Sequence, residues 1–230
     1  MAQPPEISET FVREVDENLR RDQLQDFFRN YGSWLIAGVV LFLAASGAFI
    51  WWKQHQQQRS EAQVEQLAQI YKDIGSGNTA QAPQQLDKLK DGSKAVRASA
   101  LFTRAALALQ QNDVKLATAT YKSIADDDGL PDPYRHAALI RQTALEFDQL
   151  QPQQVIDRLA PLTKPGEPWF GTAGEMTALA LLKQGKSHDA GNLYAAIAKD
   201  RDVPESIRAR AVQVAGSLGV EVGALQPQAQ

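Results

Sequence analysis

Between Tyr31 and Trp52 the chain carries no charged residue, and no other feature restricts its fold as strongly. A helix rises about 1.5 Å per residue, so about 20 apolar residues cross a hydrocarbon core about 30 Å thick. The run from Leu35 and Ile36 through Val39, Val40, Leu41, Phe42, Leu43, Phe49 and Ile50 supplies them, broken only by small residues and by Ser33 and Ser46. Tyr31 and Trp34 stand at one end, Trp51 and Trp52 at the other, where amphipathic rings prefer the headgroup level. The pattern predicts one transmembrane helix over residues 32–52. A cleaved signal peptide begins with a short basic region, whereas here about thirty highly charged residues come first, so the span reads as an uncleaved signal anchor. Arg13, Arg20, Arg21 and Arg29 precede it, against Lys53 and Arg59 after it. That bias predicts a cytoplasmic N-terminus and a C-terminal domain on the far side, which is the periplasm in a bacterial inner membrane.

Residues 1–31 have their own period. Phe11, Val15 and Leu19 recur at helical spacing and Leu24, Phe27 and Phe28 extend the apolar set, opposite a face of mixed charge. Such a segment is a cytoplasmic amphipathic helix that docks a partner, or an extension that only sets topology; the sequence leaves both open.

Beyond the span the composition is that of a water-soluble chain, and 43% hydrophobic residues overall allow a real core. A net charge of −3 and a pI near 5.7 leave no basic stripe for nucleic acid. The absence of cysteine removes disulfides, thiolate metal sites and a cysteine nucleophile together.

Helical patterns separated by short breaks run to about residue 216, and no stretch alternates with the period of a strand, so the fold class is all-α. Val64, Leu67, Ala68, Tyr71 and Ile74 fall on one face of a stalk helix within residues 53–78, which Gly75-Ser76-Gly77-Asn78 stops. A repeat domain follows over residues 79–216. Within it, Ala117, Tyr121, Ile124 and Ala125 match Ala190, Tyr194, Ile197 and Ala198 at an offset of 73 positions, as do Pro131 and Pro204. The segment from Val155 to Leu162 divides that offset into 38 and 35, periods of the tetratricopeptide type. Small Ala117 and Ala190 allow two helices to approach closely, and Tyr121 and Tyr194 fill the gap one turn later. The frame predicts about three degenerate repeats, with turns at Gln111-Asn112-Asp113, Leu150-Gln151-Pro152 and Gln184-Gly185-Lys186. A helix through Ile207, Ala211 and Val214 caps the array, and residues 217–230 form a flexible tail.

Nothing in the sequence assembles a catalytic, cofactor or metal site. His55, His136 and His188 lack metal-ligand spacing. Asp126-Asp127-Asp128-Gly129 imitates the start of a calcium loop, but Leu130 and Ala137 occupy positions that need oxygen ligands. No phosphate-binding glycine loop and no nucleophile elbow is present. The chain therefore reads as a protein without enzymatic activity or small-molecule substrate. The loop Gly166-Glu167-Pro168-Trp169-Phe170 admits two readings, an aromatic binding edge or two rings packed inward at the start of a helix.

A charged N-terminus with Phe27-Phe28 and Tyr31-Gly32, a single span, a stalk, and repeats containing Glu167-Pro168-Trp169 and Leu181-Leu182-Lys183-Gln184-Gly185 together resemble the YfgM family, ancillary tetratricopeptide-like subunits of the SecYEG translocon. The resemblance implies an inner-membrane protein whose periplasmic repeats work with the membrane-anchored chaperone PpiD on newly translocated proteins, and whose other contact is membrane lipid. The N-terminus here is longer than in that family. The alternatives from other classes are an envelope or cell-wall assembly factor that recruits a biogenesis enzyme through the same repeats, and a regulatory subunit of a membrane enzyme.

Overall fold

The computed structural model describes residues 7–223, with the side chains of 7–33 and of Leu35, Val39, Gln56, Arg59 and Ser60 outside that description, so the amphipathic face expected within residues 1–31 lies outside the described residues. The chain divides into two units, Met1–Arg59 and Ser60–Gln230. Helix α1, Ile7–Gly75, carries the whole of the described first unit and the start of the second.

In the first unit the stretch Ile36–His55 is long and apolar enough to cross a membrane: 20 residues, mean hydropathy 1.7, and none of it buried against protein. It overlaps the expected 32–52 and runs on to His55, whose ring stacks on Trp51 at 5.7 Å. Phe42 and Trp51 are each 69% exposed, a load of apolar surface that a soluble core helix does not present.

The second unit is built from the end of α1 and from α2 (Ala82–Asp87), α3 (Lys94–Gln110), α4 (Val114–Ala125), α5 (Asp132–Glu146), α6 (Pro152–Leu159), a 3-10 turn at Ala160–Leu162, α7 (Phe170–Lys183), α8 (Ser187–Lys199) and α9 (Glu205–Ser217). No strand occurs among the described residues. Local chemistry sets the helix starts. The Ser93 and Asp113 side chains accept from the backbone N–H groups of Val96 and Leu116, and Gln151 and Gln154 cap α6 reciprocally.

Four of the five odd-numbered helices end alike. Gly77, Asn112, Gly185 and Gly219 adopt positive φ, and the next residue donates its N–H back across the last turn: Asn78 to Asp73 O (2.9 Å), Asp113 to Ala108 O (2.8 Å), Lys186 to Leu181 O (3.0 Å) and Val220 to Ala215 O (3.0 Å). After α3 and α7 such a turn leads into the next helix within three residues.

The packed interior is a series of small clusters, each shared by three successive helices. Leu67 and Ile70 of α1 meet Leu86 of α2 and Val96, Ala100 and Leu107 of α3. The opposite side of α3, with Ala98, Ala105 and Ala108, packs on Ala117, Tyr121 and Ile124 of α4 and Ala138 of α5. Ile140 of α5 meets Val155 and Leu159 of α6 and Ala173 and Ala180 of α7, and Phe170 and Ala178 of α7 meet α8 and α9. Every odd helix inside the array thus serves two clusters, the quasi-one-dimensional logic of a solenoid.

Two boundaries and one helix face differ from expectation. The end of the stalk is not separate, because Leu67 and Ile70 are buried in the first cluster; α1 and α2 form an additional helix pair ahead of the expected repeats. The apolar face of α1 is also rotated: Ile70 is inside, while Val64 is 56% and Tyr71 45% exposed. At the other end, Leu218, Val220 and Val222 still pack on the last cluster, so residues 218–223 are not tail; 224–230 lie outside the described residues.

Candidate partner-binding face

Helices α1, α3, α5, α7 and α9 lie side by side along the second unit, and a polar or cationic contact joins each neighbouring pair. Thr103 Oγ1 of α3 gives its proton to the Ser99 carbonyl at 2.8 Å and accepts from the Tyr71 hydroxyl of α1 at 3.2 Å. The Arg141 guanidinium of α5 lies 5.6 Å over the Phe102 ring of α3 and 6.0 Å from the Tyr121 ring of α4. Lys183 Nζ of α7 reaches Asp148 at 2.7 Å and sits 4.5 Å over the Phe147 ring. Arg210 of α9 binds both oxygens of Glu175 of α7, at 2.7 and 2.6 Å.

Glu175 holds Arg210 protonated beyond the ordinary arginine range, through hydrogen bonding first and charge second. Tyr194 lies beside the pair. Its hydroxyl pKa is raised above 10.0, chiefly by burial and then by the Glu175 carboxylate, with Arg210 opposing.

One row of side chains on these helices remains open. Tyr71, Ala106, Ala144 and Leu179 recur at intervals of 35, 38 and 35 positions, the last two intervals being those that separate Ala117, Val155 and Ala190 on the even helices. Tyr71 and Leu179 are each 45% exposed, and Ala106 and Ala144 between them are exposed as well. The row presents two large apolar residues with two small ones between, in register, on a face that the even helices do not cover. Sequence reading passed over these residues; extending the 38 and 35 spacing from the even to the odd helices aligns them.

Residues singled out in the sequence fall elsewhere. His55, His136 and His188 lie on α1, α5 and α8, with His188 Nδ1 2.9 Å from Asn192 Nδ2. The acidic loop is consumed by structure: Asp126 pairs with Lys122, Asp127 with Arg97, and Asp128 with Arg135. Phe170 is fully buried and Trp169 packs on the third cluster beside Met176, so this loop turns its rings inward. Gly166 N–H is tied to Asp200 Oδ2 at 2.8 Å, which pins the loop to the end of α8.

A family model described as a tetratricopeptide repeat-like domain matches residues 25–215. No curated protein and no solved structure matches the chain. The matched range takes in the apolar stretch of α1 and every helix pair, and the paired helices, left-handed turns and shared clusters are what such repeats require. The chain therefore belongs to the tetratricopeptide repeat-like domain family.

Proposed function

We propose that the protein is a membrane-anchored interaction scaffold of the Sec translocon, in which α1 spans the inner membrane with its N-terminus in the cytoplasm and the repeats hold partner proteins in the periplasm. One observation carries the reading. An unburied apolar helix, Ile36–His55, and an interaction repeat with an uncovered face occur in the same chain. In water the exposed rings and aliphatic chains of that helix would cost about 25 cal/mol per Å², a cost that insertion into lipid removes. Anchoring then confines the repeat face to the membrane surface and raises its effective concentration toward proteins that emerge there. The resemblance of the whole arrangement to YfgM-type subunits points to SecYEG and PpiD as the partners.

The test has two stages. Single cysteines introduced at Ala2 and, separately, at Ser187 of the cysteine-free chain are labelled in intact cells whose outer membrane has been permeabilised, using a reagent that does not cross the inner membrane. Ser187 labels and Ala2 does not if the orientation is right; the reverse pattern overturns the periplasmic role. Mild crosslinking and co-purification then enrich translocon subunits and PpiD over an unrelated membrane protein. Enrichment of a cell-wall synthesis enzyme in their place would assign the scaffold to envelope assembly.

A further inference from the structure

We infer that the open row on the odd helices receives an acidic amphipathic segment of a partner protein, with two bulky apolar side chains over Ala106 and Ala144 and a carboxylate on Arg141. The inference rests on the scaffold reading and adds the chemistry of what is held.

The shape of the row comes first. Tyr71 and Leu179 flank two exposed alanines, so the middle of the row is lower than its ends. Neighbouring helix axes stand about 8–10 Å apart or slightly more, and we take that as the scale of the interval between the openings over Ala106 on α3 and Ala144 on α5. Two residues seven apart on a partner helix are about 10.5 Å apart along its axis and lie on one face. A helical segment therefore presents two side chains at the right interval.

Charge selects among segments of that shape. Two cations on this face are already neutralised, Lys183 by Asp148 and Arg210 by Glu175. Arg141 differs. It is exposed, sits three residues before Ala144 and thus on the same side of α5, and among the described residues its contacts are the Phe102 and Tyr121 rings rather than a carboxylate. Stacking on two rings orients the guanidinium and leaves its N–H donors available, a geometry suited to accepting a carboxylate. A basic segment is repelled there, and a wholly apolar one desolvates the donors without replacing their hydrogen bonds.

The experiment uses the full chain in detergent micelles and two fluorescein-labelled helical peptides of about 14 residues. Both carry leucines seven positions apart; glutamate stands between them in one and lysine in the other. The glutamate peptide binds at least about tenfold tighter by anisotropy, Arg141→Gln removes about tenfold of its affinity, and Arg141→Lys recovers part of it. Ala144→Leu and Ala106→Leu, which fill the openings, weaken the glutamate peptide with the thermal midpoint unchanged. Equal binding of the two peptides, no binding of either, full affinity in both leucine variants, or a dimer of the chain that the leucine variants dissociate overturns the inference. If crosslinks to the translocon instead form from Lys122 on α4 while neither peptide binds, the scaffold role stands and this face is not its binding surface.

Discussion

The helix pairs α5/α6 and α7/α8 bury the same three positions by different means. Ala190, Tyr194 and Ile197 of α8 correspond, 35 positions earlier, to Val155, Leu159 and Leu162, and all six are buried. In α8 one continuous helix supplies them. In the middle pair α6 stops at Leu159 and the third comes from the 3-10 turn Ala160–Leu162. Pro161 explains this: it lacks an N–H, and its ring clashes with the carbonyl four residues back, so the helix tightens rather than continuing. The partner helices differ in the same sense. Gly174 lets Ile197 approach α7 closely, whereas α5 buries Gln142 and Thr143 and satisfies them through Glu146 and the Leu139 carbonyl, with Arg158 of α6 paired to Glu146. A repeat array conserves where side chains are buried, while helix continuity and the polarity of the contact are free to vary.

Removing the largest buried side chain of the α7/α8 pair has the largest expected effect. Tyr194→Ala should cost about 4 kcal/mol and Leu159→Ala, its counterpart, about 3 kcal/mol, read by urea denaturation with hydrogen exchange resolving each pair. A larger loss at Leu159 would reverse the ranking of the two pairs. Next, a methyl group at Gly174 would stand 2.9 Å from Ile197 Cδ1, so Gly174→Ala should cost about 2 kcal/mol through overpacking; an unchanged melting temperature would show that Ile197 relaxes freely and that close approach does not distinguish the pairs. Smaller again are the turns. Gly185 and Asn112 hold φ of 75° and 60°, where a Cβ is strained, so Gly185→Ala should destabilise by about 1 kcal/mol and Asn112→Gly stabilise by several tenths. The α5/α6 turn has no residue at positive φ, and Gln149→Gly there should only destabilise.

The smallest effect is confined to high pH. Because the Tyr194 hydroxyl is raised by burial and by Glu175, the folded state holds its proton more tightly than the unfolded chain does. Its contribution is complete below about pH 10, the unfolded tyrosine value, and is lost as pH rises through the raised value. Alkaline titration followed by hydrogen exchange should loosen α7–α9 first, and Tyr194→Phe should delay that loosening. Leu159 brings no ionising group to the middle pair, so parallel loosening of both pairs would place the alkaline transition elsewhere.

Much of the array could be read from residue types because close packing leaves a local signature. Ala117 with Tyr121 and Ala190 with Tyr194 mark two even helices at their points of closest approach, and Gly185 marks a turn that needs positive φ. The first pair was missed because α2 is six residues long and carries no such marker. The direction of the α1 face was misread because Val64 and Tyr71 carry hydrophobic bodies at the same helical spacing as Leu67 and Ile70; only packing against α2 and α3 decides which two go inside.

By itself the sequence determined an all-helical chain with one apolar run sufficient to cross a membrane and a repeat near 35–38 residues. Those properties follow from hydrophobic period, length and turn chemistry, which act over a few residues. Tertiary structure alone decided that α1 belongs to the array, that the acidic loop is neutralised by Arg97 and Arg135, and that Tyr71, Ala106, Ala144 and Leu179, aligned by spacing, are all left exposed. These outcomes depend on which helices lie side by side, and contacts between residues tens of positions apart leave no mark in any single segment.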